Sequence, residues 1–158
     1  MSRYGTDSSA PLRVLVVEDE PAEAELTIRK VRSIADLRTE IKHVETLAEA
    51  KSYLISNQAD VILLDLELPN GRGLESLRLV RRIPRVPPII VLTGADSEGD
   101  AIRAIAEEGA QSYIPKEVLT VENVRRILLY AVARHEYKLR ELEAQRALYV
   151  TEAASERR

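Results

Sequence analysis

Runs of apolar residues alternate along this chain with stretches whose apolar positions recur at helical spacing. Leu12 to Val17 and Ile89 to Leu92 are short and almost wholly apolar, and so is Val61 to Leu64, which closes on Asp65. Such runs suit strands covered on both faces, as in a parallel sheet, although periodicity alone leaves a short buried helix open for any one of them. Arg38 to Val44 alternates and predicts a more exposed strand. Gln111 to Ile114 predicts a fifth, and Pro115, which has no N–H to give, suits an edge position.

Helices are predicted between these runs. The first opens at Pro21 and extends to about Ile34, with Ala24, Ile28, Val31 and Ala35 inward. The second is announced by Thr46 and Glu49, the spacing of a capping box, and carries Leu47, Ala50 and Leu54. A loop marked by Pro69, Asn70, Gly71 and Gly73 leads to a helix with Leu74, Leu77, Val80 and Arg81, which the prolines at 84, 87 and 88 stop. A cap-like Ser97 to Asp100 precedes a helix with Ile102, Ile105 and Ala106 that ends at Gly109. Thr120 caps a last helix that meets no breaker for about thirty residues. Five strands alternating with five helices predict an α/β fold, a doubly wound parallel sheet.

Composition narrows the class. With 158 residues there is room for one domain and something extra. The six aromatics are all Tyr, so the core must be Leu, Ile, Val and Ala. There is no Cys, which removes disulfides and thiolate metal sites and fits a reducing compartment. A net charge of −3 argues against direct nucleic-acid binding over the whole surface. No run approaches the length of a membrane span, and the polar Ser/Gly-rich start at 1–11 reads as a flexible lead-in without a signal-peptide core. A cytoplasmic protein is expected.

The chemistry collects at strand ends. The first strand runs into Glu18 and Asp19, the third ends at Asp65, the fourth at Thr93, and Lys116 follows the fifth. A parallel sheet puts all of these on one edge, where ligands of open α/β sheets bind. Three close carboxylates repel one another, and a hard divalent cation such as Mg²⁺ is the usual remedy. Neutralising Asp65 is therefore expected to stabilise the metal-free chain. Lys offers a point charge to a phosphoryl oxygen, Thr a hydrogen bond, and Asp65 a nucleophile for an aspartyl phosphate.

The segments V-L-V-V-E-D-E, V-I-L-L-D-L-E-L-P-N-G, I-I-V-L-T-G and S-Y-I-P-K, taken together, closely resemble the receiver domain of bacterial two-component response regulators, the CheY-like fold. The resemblance covers residues 12–133 and implies the strand order 2-1-3-4-5. It implies Asp65 as phosphoacceptor and Glu18 and Asp19 as the acidic pair for Mg²⁺, with Asp65 and the Glu67 backbone carbonyl completing the ligands. It makes Thr93 and Lys116 the residues that follow the phosphoryl group, and a histidine kinase or phosphotransfer protein the donor. Tyr113 stands at the aromatic switch position, where a half-buried edge-strand Tyr is the plain alternative. The sequence departs from the family in using Glu-Asp for the acidic pair and in placing Glu117, not Pro, after Lys116. A cis bond there would cost roughly 2.5–4 kcal/mol, so a trans peptide is expected. No effector domain follows within the chain.

Residues 134–158 are expected to extend the last helix. Leu128, Val132, His135, Leu139, Leu142, Arg146 and Tyr149 recur at alternating steps of four and three, a heptad seam that predicts a homodimer through this helix. A solvated amphipathic helix is the alternative. Two other functions compete with a phosphorylation switch. One is a constitutive coiled-coil scaffold with a vestigial site. The other is a Mg²⁺ phosphatase of the haloacid dehalogenase type, whose acid/base Asp is here Glu67.

Overall fold

A computed structural model describes residues 10–68, 74–94, 96 and 98–157. The expected turn at Pro69 to Gly73, most of the lead-in, the cap at Ser97 and the terminal Arg158 lie outside these residues. The elements run β1 (Leu12–Val17), α1 (Pro21–Arg32), β2 (Thr39–Val44), α2 (Leu47–Ser56), β3 (Val61–Asp65), α3 (Leu74–Arg81), β4 (Ile89–Thr93), α4 (Glu98–Ala106), β5 (Ser112–Pro115) and α5 (Val121–Glu156). All strand pairs are parallel, and the sheet order is β2-β1-β3-β4-β5. The predicted doubly wound sheet, its strand order and the long last helix are all present.

The three central strands are almost wholly apolar because helices cover both faces. Leu63, Val61, Val14 and Val16 turn toward α1 and α5, where Val31, Val124, Leu128 and Ala131 meet them. Ile62, Leu64, Leu15 and Val91 turn the other way, onto Ala50 of α2, Leu77 and Val80 of α3 and Ala104 of α4. The edge strand β2 has only one covered side, and its residues alternate between half-buried and exposed up to Val44. Pro115 ends β5 on the opposite edge, a place suited to a residue without an N–H.

Local signals set the boundaries. Thr46 Oγ1 accepts from Glu49 N–H at 3.1 Å, while the Glu49 carboxylate accepts from Glu45 N–H at 3.2 Å, one residue earlier than a strict capping box. Thr120 Oγ1 caps α5 by accepting from Asn123 N–H at 3.2 Å. Gly109 takes φ +72°, the left-handed conformation suited to a residue just past a helix, and the Arg81 guanidinium fills the space a side chain would need.

Three helix faces differ from expectation. α1 stops at Arg32, where Ser33 Oγ donates to the Arg29 carbonyl at 2.7 Å; Ala35 is exposed, and Thr27 and Ile34 are buried instead. In α4 the inward residues are Ala101 and Ala104, while Ile102 and Ile105 are 55% and 37% exposed. The small side chains face the core and the larger residues point out. α3 likewise turns Arg81 outward, where it donates to the Glu108 carbonyl at 2.7 Å.

Candidate functional site

The C-terminal edge of the sheet brings five scattered residues together. β1 delivers Glu18 and Asp19 and β3 delivers Asp65; one carboxylate oxygen from each lies within 4.8 Å of the others. Glu18 and Asp65 are each only 1% exposed. Thr93 ends β4, also buried, in register with Pro115. Lys116 begins a short 3₁₀ turn (Lys116–Val118) directly after β5. No peptide bond among the described residues is cis, so the Lys116–Glu117 bond is trans as expected. The lysine reaches the site all the same: its Nζ is 3.3 Å from Asp65 Oδ2 and 3.6 Å from Glu18 Oε2.

Hydrogen bonds hold the carboxylates in place. Asp65 Oδ1 accepts from Glu67 N–H at 3.0 Å, and Glu18 Oε1 from Glu20 N–H at 3.2 Å. The other oxygen of Glu18 is enclosed and makes no hydrogen bond among the described residues. Burial, reinforced by the adjoining Asp65 carboxylate, pushes the Glu18 carboxyl up from 4.5 to about 8, against the opposing pull of the Glu20 amide and Lys116. The cost of crowding therefore falls on Glu18, the longer-armed member of the pair. Burial also works against the Lys116 ammonium, but its hydrogen bond to Glu23 and the charges of Asp65, Glu18 and Glu23 outweigh it and hold the lysine above its ordinary range.

Glu67 contributes in a way the sequence did not disclose. Its carboxylate lies across Gly94, where a Cβ would come within 2.5 Å of Oε1. Gly94 thus leaves room for an acidic side chain over the strand end. Tyr113 is half-buried and packs on the core beneath α4, paired with Val91.

Two residues at the site were missed. Glu23, in the first turn of α1, forms an ion pair with Lys116. An acid at that place reads as ordinary support for the helix dipole, so only its position after the acidic loop distinguished it. His43 of β2 lies 2.7 Å through Nε2 from the Glu18 carbonyl oxygen and ties the acidic loop to the edge strand. It was legible only as one half of an alternation.

Among the described residues, an enclosed Glu18 oxygen that no hydrogen bond reaches, set among three carboxylates with Lys116 beside them, fits a hard, oxygen-seeking cation. Among the described residues, no helix is long and apolar enough to cross a membrane.

Residues 14–128 match the response regulator receiver domain family. The transcriptional regulatory protein BaeR of Escherichia coli O6:H1 is 34% identical over 147 residues, covering 93% of this chain and 58% of its own. The transcriptional regulatory protein TrcR of Mycobacterium tuberculosis is 35% identical over 127 residues, covering 80% and 48%. The chain thus spans about half the length of these relatives. Among solved structures, the signal receiver domain of a putative LuxO repressor protein from Vibrio parahaemolyticus superposes with a TM-score of 0.69 at 26% identity, covering 84% of this chain and 97% of that one.

Proposed function

The chain belongs to the response regulator receiver domain family, and from that premise we propose that it is a phosphorylation switch that accepts a phosphoryl group on Asp65. The donor is a histidine kinase or phosphotransfer protein. The phosphorus–nitrogen bond of its phosphohistidine breaks as an Asp65 carboxylate oxygen bonds phosphorus, which leaves an acyl phosphate on the aspartate.

The observation that carries this reading is the pairing of a buried Asp65 with a lysine 3.3 Å away, beside two further carboxylates. Mg²⁺ would be held by Glu18, Asp19, Asp65 and the Glu67 carbonyl. When bound, it neutralises the charge that develops on the phosphoryl oxygens. The chain's own groups do the rest. Glu67 N–H orients the nucleophile through Asp65 Oδ1, leaving Oδ2 on the lysine side. Lys116 moves from the carboxylates to a phosphoryl oxygen, and the Thr93 hydroxyl donates to another. Tyr113 follows Thr93 and alters the surface formed by α4, β5 and α5. Output runs through changed protein contacts, including the pairing of α5, and the chain catalyses only its own phosphorylation and dephosphorylation.

The test is binding of beryllofluoride, a tetrahedral phosphoryl mimic, followed by calorimetry. Saturable binding that requires Mg²⁺ and is lost in Asp65→Asn and Asp19→Asn is expected. Binding that survives Asp65→Asn would overturn the assignment.

A further inference from the structure

We infer that the part of α5 beyond the domain is one strand of a parallel, in-register two-stranded coiled coil, and that its occupant is the same helix of a second copy. This rests on the part of the proposed reading that pairs two chains through α5, and not on phosphoryl acceptance.

The structure divides the helix in two. Leu128 and Val132, which begin the heptad seam in the sequence, are buried in the domain's own core and are unavailable to a partner. The seam that remains is His135, Leu139, Leu142, Arg146 and Tyr149, on an overhang whose residues are almost all exposed. Leu139 and Leu142 are 47% and 51% exposed. Nothing within the overhang sustains it as a lone helix. Among its described residues no ion pair is formed, and the one side-chain hydrogen bond runs from the Thr151 hydroxyl to the Ala147 carbonyl at 2.9 Å. An isolated helix of this length with a bare leucine stripe is marginal in water, so the stripe calls for a cover.

Charge pattern names the cover. With Leu139 and Leu142 at the two core positions, Lys138 and Glu143 fall on the flanks, as do Glu152 and Arg157. In a parallel pair each flanking residue faces the one five places on in the second helix. Lys138 then meets Glu143, and Glu152 meets Arg157, twice each by symmetry, with no like-charged flank. The antiparallel register that stacks Leu139 on Leu142 instead sets Glu136 against Glu143, two acids, twice. Arg146 at a core position weakens the pairing but favours a defined two-stranded register, as buried polar residues do at such sites. The same stripe borders a groove of about 1110 Å³ between the overhang and the connection from α3 to β4, where Ile83 and Val86 continue the apolar floor. A second helix lying on the stripe enters that groove, so each domain also touches its partner's helix.

The chain has no cysteine, so a single introduced thiol reports its position without ambiguity. His135→Cys and Tyr149→Cys, oxidised without any phosphodonor, should each give a self-linked dimer, since only partners with Cα atoms within about 7 Å can bridge. Sedimentation of the unmodified full chain should show dimers. Lys138→Glu and Glu143→Lys should each raise the dimer Kd about tenfold, and the double variant should recover. The recovery separates lost pairing from a melted helix. A monomeric full chain, cross-linking of His135→Cys only with an Arg146→Cys chain when the two are mixed, or a double variant no tighter than either single would overturn the proposal. Phosphoryl transfer to Asp65 would stand in each of those cases, because the experiment does not touch it.

Discussion

The two ends of this molecule's polar chemistry are built on opposite terms. At the C-terminal edge of the sheet, Glu18, Asp65 and Thr93 are each only 1% exposed, and charged groups are forced together by backbone they cannot leave. On the overhang of α5, side chains are free on nearly every side and the backbone makes only its own helical bonds. Strain at the first region is a property of the folded domain, relieved only by protons or cations. At the second, the side chains are left exposed by the chain's own fold. The proposals accordingly place chemistry at the rigid edge and assembly on the bare helix, so that each can be disturbed without the other.

The largest contrast is in stability. Leu63 is wholly enclosed between the sheet and α1/α5, whereas Leu148 is 65% exposed. Leu63→Ala should cost about 2–5 kcal/mol in denaturant unfolding. Leu148→Ala, on the outer side of the overhang, should stay within about 0.5 kcal/mol. Equal losses would mean that the overhang is packed, and the comparison would collapse.

Next in size is the response to pH. The Glu18 carboxyl is raised from 4.5 to about 8, so the folded chain binds a proton there that the unfolded chain has released. Its contribution is therefore full below about pH 4.5 and is lost as pH rises toward 8. Glu18→Gln should flatten that fall and melt higher than the parent at pH 8 without metal. Mg²⁺ must displace the same proton, so its stabilising effect should grow as pH rises through this window. A parent whose melting temperature is level between pH 5 and pH 8 would show that Glu18 is not confined. The structure adds Glu18 to Asp65 as a position for such a stabilising substitution. Lys116 donates to Asp65 at 3.3 Å, whereas it stands 3.6 Å from Glu18 Oε2, which accepts no hydrogen bond among the described residues.

These differences mark what could be read from the sequence. The strands were legible because three of them are apolar on both faces, and the site because strand ends of a parallel sheet must converge. Asp65, Glu18, Asp19 and Lys116 needed no more than that. The inward face of α4 was not legible, because Ala101 and Ala104 carry a weaker signal than Ile102 and Ile105. Glu23 escaped because its partner Lys116 lies 93 residues away and no local pattern links the two. The heptad repeat was read from Leu128 onward, and its first two residues prove to be core. Leu128 and Val132 satisfy both the heptad and the core, and a sequence cannot say which one they serve.

A smaller effect sharpens the first region. Glu23 is ion-paired with Lys116, the lysine that in the proposed mechanism turns to the phosphoryl group on Asp65. Glu23→Gln should make phosphorylation by acetyl phosphate about two- to five-fold faster, as expected for removal of a partly exposed ion pair. A slower rate in stopped-flow or intrinsic-fluorescence traces would show that Glu23 positions the lysine rather than competing for it.

The most direct measurement is the mass of the chain after treatment with acetyl phosphate and Mg²⁺, followed by peptide mapping. One phosphoryl group is predicted, on the peptide that contains Asp65, absent without Mg²⁺ and absent in Asp65→Asn. Label on another carboxylate, or undiminished label in Asp65→Asn, would contradict the assignment of this edge as the phosphoacceptor site.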